Sequence, residues 1–488
     1  MRAEARPHRN HLMHLTKLHH LLHPLTAAEL RVLGQSARVS SALPPVSKKL
    51  LLTLVSYYTR QGAAPPTAAA LTALCPPLKN AAAQSKAAVP LVHFAEQYLA
   101  QEEWKRSSTE KNLYLLKALK QRGQKTEAEK LFSALHKQGG KKQKQQLNDY
   151  YLHHLITEEN LNGFYAKLKR NPQNNISPVL ETLDIFYALK KLRYLSEAAN
   201  RQRWLGITNN YSGSAESCLA LLKKYRTQQH PYIFFTCLSY QMVTAPGFNE
   251  GWKYYHAIKT YISRQKASPL PAAASEAITY AINFCLWYNN CGITKAGKEF
   301  LWWVHFKIKK NILLENKMLS PNTYVNYVTN AFLQQYSPLA LYSFIETYTP
   351  ALPPTHAATH HAFALGLYYY RIKNFSEADY RFQQAQAKDE PVFNAIIKRW
   401  QFMSMYEHEH RPENISRLQS HLESFERYIH RHHSDLHRFK PHFTRFIANA
   451  NKLINTTAKN HARHTRELTA EPFFAGKNWL CEMLKHTE

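Results

Sequence analysis

Between His361 and Pro391 the chain reads HAFALGLYYYRIKNFSEADYRFQQAQAKDEP, and small and bulky residues recur there at helical intervals. Leu365-Gly366 is followed three residues later by Tyr369. Ala378 precedes Phe382 by four, Ala385 follows three residues after that, and Pro391 closes the run. Gly366 and Ala378 are small where two helix backbones approach closely, and Tyr369 and Phe382 are bulky where the gap between helices needs filling. These intervals suit a pair of helical segments that approach each other closely. One such pair cannot bury its own apolar face, so it requires neighbours on both sides.

This spacing resembles the tetratricopeptide repeat. A second stretch has the same offsets: Leu115, Leu116 and Leu119 are followed by Ala128, with Phe132 four residues on. Leu115 and Ala128 are 13 residues apart, as are Leu365 and Ala378. Elsewhere the repeat length drifts and the small residues are missing, so the resemblance is to a divergent tetratricopeptide-like array. The segments LHHLLHPLTAAELRVL, SKKLLLTLVSYYTRQG and LDIFYALKKLRYLSEAANRQRWLG also resemble an uncharacterised group of large helical proteins from Bacteroidota bacteria. That second resemblance rests on Leu50, Leu51, Leu183, Tyr187, Leu189, Lys190, Leu192 and Arg193, and it implies an architecture only. Together the two imply an all-α fold, an α-solenoid of antiparallel helical hairpins wound into a right-handed superhelix. In a tetratricopeptide stack the first helix of each hairpin lines the concave side. Exposed residues of that helix, among them His360, His361, Tyr368 and Arg371, would then meet a partner, and Arg371 with Lys373 would suit a carboxylate.

A chain of 488 residues is too long for one compact core, so it divides or extends. Its 14 glycines fall well below the roughly 7% of average usage. Hairpin turns consume glycine, so the shortage favours helices, and period-2 alternation is nearly absent. Prolines 172, 178, 231, 269, 321, 338 and 391 sit between periodic segments and read as breaks between helices. About 22 to 25 helices are expected from usual helix and loop lengths.

Three regions are expected. Residues 1–88 form an N-terminal helical segment with an Ala/Pro-rich connector, 89–410 a helical-repeat solenoid, and 411–488 a C-terminal helical cap of two or three helices. Within them Thr26 and Glu29 have capping-box spacing, and Gly123 stands where a C-cap glycine ends a helix. Residues 137–146 read as a basic loop. The stretch 179–206 reads as two paired helices meeting near residue 193. Further pairs follow through residue 406.

The charge balance is +29, from 63 Lys and Arg against 34 Asp and Glu. It is spread along most of the chain, which suits solubility and weak attraction to polyanions rather than a dedicated nucleic-acid groove. The six cysteines form no C-x-x-C pair and lie mostly among apolar residues, as reduced core cysteines do. The N-terminus lacks the apolar stretch of a secretory signal, and no run approaches the ~20 apolar residues that span a bilayer. A cytoplasmic protein is expected.

No enzyme signature is present: there is no G-x-S-x-G, no phosphate-binding glycine loop and no H-E-x-x-H. The 27 histidines are densest at His430, His432, His433, His437 and His442, with a second set at His11, His14, His19, His20 and His23. A solvated basic helix face accounts for both, so no metal and no cofactor is expected. Tyr254, Tyr255, Tyr261, Trp287, Tyr288, Trp302, Trp303 and Phe306 interleave with Lys253, Lys259, Arg264, Lys307, Lys309 and Lys310. Aromatics and lysines so arranged can bind single-stranded nucleic acid, but helical spacing fits core packing as well. The sequence thus points to a non-catalytic scaffold for a protein or peptide partner, acidic partners suiting its charge, with RNA or DNA binding as the alternative.

Overall fold

The computed structural model describes residues 6–61, 65–141, 146–164, 176–208, 211, 213–225, 230–265, 270, 272–387, 389–409, 415–436 and 438–486. Among them the fold is all-α: 23 α-helices and no strand. The chain divides into two units, Met1–Lys141 with Leu155–Asn174, and Lys142–His154 with Asn175–Glu488.

The N-terminal helices are α1 (Arg6–Leu22), α2 (Ala27–Val39), α3 (Pro45–Gln61), α4 (Ala68–Leu74), α5 (Ala81–Arg106), α6 (Ser108–Gln121), α7 (Lys125–Lys141) and α8 (Leu147–Phe164). Thr26 and Glu29 make the expected capping box at the start of α2. In the first unit α1 and α3 both pack on α5, and α2 packs on α3. Leu18, Leu22, Leu33, Leu50, Leu54 and Leu91 are buried together. His19 belongs to this core. Its Nδ1 lies 2.6 Å from the Tyr58 hydroxyl, and burial holds the imidazole below its usual range and pushes the phenol up to about 12.

Two expectations for this unit change. The boundary placed at residue 88 falls inside α5, which starts at the Asn80 cap and carries Pro90 within it. The Ala-rich run that reads as a connector is a good helix former, and its small residues Ala87, Ala88 and Ala95 are buried. Residues 137–141, expected as loop, continue α7. Gly123 adopts φ +71° just past α6, as expected. In the hairpin that follows, Leu116 and Ala128 are buried and Leu119 and Phe132 partly so, but Leu115 is 47% exposed. Leu113 takes its place, because Leu113 and Leu116 share a face while Leu115 points away.

The second unit continues with α9 (Ser177–Leu205), α10 (Glu216–Leu222), α11 (Pro231–Thr244), α12 (Phe248–Arg264), α13 (Ala272–Asn290), α14 (Thr294–Lys309), α15 (Pro321–Leu333) and α16 (Pro338–Tyr348). Then come α17 (Pro354–Arg371), α18 (Phe375–Gln384), α19 (Pro391–Glu409), α20 (Ile415–Arg431), α21 (Lys440–Ile454), α22 (His461–Ala470) and α23 (Lys477–Lys485). Prolines 231, 321, 338 and 391 are first residues of helices, where a missing N–H costs nothing. Pro172 and Pro269 lie outside the described residues. The expected pair over 179–206 is one helix of 29 residues. The C-terminal region has four helices rather than two or three. Nor is it a separate cap: one hydrophobic core runs from Tyr150 to Leu484 and includes Phe402, Phe425 and Phe446.

Within this core α17 and α18 pack on each other as the predicted pair. Phe382 is 1% exposed and its ring lies over Gly366, where an added Cβ would come within 2.5 Å of Cε1. Leu365, Ala378 and Ala385 are buried. Tyr369 is only half-buried. Tyr370 fills the inter-helix gap instead, between Phe375 and Trp400, with its hydroxyl donating to the Glu407 carboxylate. No helix among the described residues is long and apolar enough to cross a membrane.

Candidate interaction surface

The five residues expected to meet a partner do not share one surface. His360 is 1% exposed, against the expectation of a solvent-facing residue, because Phe393 of α19 covers its ring at 4.5 Å. His361 is half-buried, 3.6 Å from the Glu346 carboxylate. Tyr368 lies against Tyr342 at 5.0 Å, and the Arg371 guanidinium lies over Phe332 at 5.9 Å. Lys373 is exposed in the α17–α18 turn at φ +61°. Tyr368, Arg371 and Lys373 therefore cluster at one end of α17, about 16 Å from His360 by helical rise.

The aromatic residues of this stretch are buried in the core or packed against it, while Lys253, Arg264 and Lys309 are exposed. Tyr255 and Trp303 are fully buried, and Trp252, Phe284, Trp302 and Phe306 stack around them. Lys259 pairs with the Glu299 carboxylate, which also accepts from Tyr255 at 2.5 Å. Arg438 covers the Trp287 ring at 4.4 Å. Tyr255, Tyr288 and Trp303 are thus closed to a base, and Tyr254, Tyr261, Trp287, Trp302 and Phe306 are partly covered.

The densest histidine cluster does not converge either. α20 ends at Arg431, so His430 and His433 do not share a helix face; His432 turns to Asp435 at 3.4 Å, and His437 lies outside the described residues. The four buried cysteines are Cys75, Cys218, Cys237 and Cys285, and no disulfide links the described cysteines.

An exposed apolar stripe lies along α9, in the segment that carries the second resemblance. Ile176, at the helix N-cap, then Leu180, Leu183, Tyr187 and Tyr194 are between 42% and 64% exposed. Their spacing of four, three, four and seven residues confines them to a sector of about 60°, over about 27 Å of helix. Ala188, Leu189, Leu192 and Ser196 occupy the opposite face and are buried. The stripe carries its own cations. The Lys191 ammonium sits 5.5 Å from the Tyr187 ring and 5.6 Å from the Tyr211 ring, and Lys190 lies over Phe186 at 5.5 Å. The Tyr211 hydroxyl beside it holds the Lys191 ammonium above its usual range. Sequence could have found the stripe: no glycine or proline interrupts residues 179–205, and apolar residues stand on both faces of the one helix this allows.

Two cavities lie among the described residues. The cleft lined by Arg193, Ser196, Tyr232, Glu276 and Tyr280 holds about 10 Å³, room for one water, and Arg193 and Glu276 form an ion pair at 2.9 Å on its wall. In the first unit an open groove of about 670 Å³ runs along α3, lined by Lys48, Lys49, Arg60, Leu52, Tyr57 and Leu74. No family model, no curated protein and no solved structure matches the chain.

Proposed function

We propose that this chain is a non-catalytic, cytoplasmic binding protein that docks a protein or peptide partner, and that its second unit is a divergent tetratricopeptide-like stack. One observation carries the reading. The α9 stripe keeps two leucines, an isoleucine and two tyrosines in water along about 27 Å of helix. Two lysines within it suit a partner that carries carboxylates beside an apolar ridge. The stacked arrangement is supported by packing between alternate helices, α9 on α11, α11 on α13 and α15 on α17, and by the Gly366–Phe382 contact.

The test is paired retention from lysate by immobilised full-length protein and by the Leu183→Glu/Tyr187→Glu variant. The expected result is a discrete protein held at physiological salt by the wild type and lost by the variant, with melting temperatures unchanged because both residues are exposed. Equal retention by the two would end the reading. RNA or DNA binding is a second reading, favoured by the α3 groove, whose lining has three cations and no carboxylate. It expects bound nucleic acid whose affinity falls steeply with salt and is indifferent to the α9 variant.

A further inference from the structure

We propose that His356, His360 and Glu390 form a binding site for a divalent transition-metal ion of the zinc class. His356 and His360 are four residues apart on α17, so their rings project from one face of the helix, a turn apart. Glu390 stands immediately before α19. Each of the three side chains offers a ligand atom, and all three atoms lie within 4.8 Å of one another. Two imidazoles and one carboxylate suit Zn²⁺ or Co²⁺ better than Ca²⁺ or Mg²⁺, which take oxygen ligands throughout.

The surroundings prepare these ligands. The ring of His360 is fixed by Phe393, and its Nδ1 lies 2.9 Å from the carbonyl oxygen of His356. A carbonyl oxygen only accepts, so Nδ1 carries the hydrogen and Nε2 keeps the lone pair a metal needs. A backbone contact of this kind orients metal-binding histidines generally. Nδ1 of His356 and Oε1 of Glu390 are 2.9 Å apart, joined by a proton that a bound ion would replace. The side chains of His356 and Glu390 are 37% and 31% exposed. They can rotate to the ~3.4 Å ligand spacing of a tetrahedral site with bonds near 2.1 Å, while His360 stays in place. The fourth position then opens to solvent.

The test is titration of the chelator-stripped full-length chain with Co²⁺ against a chromophoric chelator, followed by displacement with Zn²⁺. The expected result is one equivalent bound well above the background of the other histidines, with the intense visible absorption of four-coordinate Co²⁺. Glu390→Gln and His356→Gln should each weaken that equivalent by more than the roughly 10–100-fold that loss of an outer-shell partner costs. His430→Ala/His433→Ala should leave it unchanged. Zn²⁺ should also raise the melting temperature of the wild type and of neither ligand variant. Both ligand variants alter partly exposed side chains, so they retain the fold that replacing buried His360 could lose. An equivalent that survives both substitutions, or the absence of any equivalent above background, would overturn the proposal. Neither result touches the α9 reading, which concerns other residues.

Discussion

Among single residues, His421 shows what burial does to a titratable group. Its Nε2 donates to the Lys398 carbonyl at 3.0 Å, and its ring lies against Phe402. Burial is the main cause that holds its pKa down, at about 4, and the charges of Lys398 and Arg417 act in the same direction. The unfolded chain takes up this proton near pH 6.5 and the folded chain only near 4, so the stability is fully present above 6.5 and is lost as pH falls through that window. By pH 5 the loss is about 2 kcal/mol from this one group. Urea unfolding at pH 7 and pH 5 should therefore show a pH-dependent loss that His421→Gln reduces by about that amount. Identical pH profiles for the two proteins would refute this account of the site. At this scale Gly366, Ala378 and Phe382 were legible, because a close approach between helices dictates residue size. The burial of His360 was not, since Phe393 covers it from a helix that begins 31 residues later.

At the scale of elements, α9 departs most from what the sequence suggests. A pattern of paired helices implies a turn near residue 193, yet nothing between Pro178 and Gly206 breaks a helix. Gly206 ends it in the left-handed conformation, φ +70°. Apolar residues on both faces also hide which side is inside, so periodicity alone cannot separate the stripe from the core. The continuous helix makes a clear prediction. Tyr194→Pro should cost about 3 kcal/mol or more, through a lost backbone bond and a clash with the preceding turn. Tyr194→Ala, on the same exposed side chain, should stay within about 0.5 kcal/mol. Equal and small effects in thermal unfolding would mean the helix is interrupted there. Helix starts were legible where proline or a capping box marks them. The α5 start was not, because its alanine-rich first turns lack the alternation of apolar and polar residues that marks an amphipathic helix.

For the whole molecule, the all-α class followed from scarce glycine and absent alternation, and charge described the surface only in sum. A surplus of +29 says that the chain is basic, but not where an interaction face lies. Many of the cations are already committed, to carboxylates as with Lys259 and Arg193, or to rings as with Lys191 and Arg438. The α9 stripe aligns five exposed apolar side chains on one helix face. The most direct measurement places a photoreactive phenylalanine analogue at Tyr187 of the full-length chain, with a control probe at Tyr114 in the first unit, which is no less exposed. After irradiation in cells, the Tyr187 probe should give a discrete adduct that protease destroys and nuclease does not, absent from the Tyr114 control. A nuclease-sensitive adduct, or none from Tyr187 while the protein remains folded, would contradict the docking of a protein on α9.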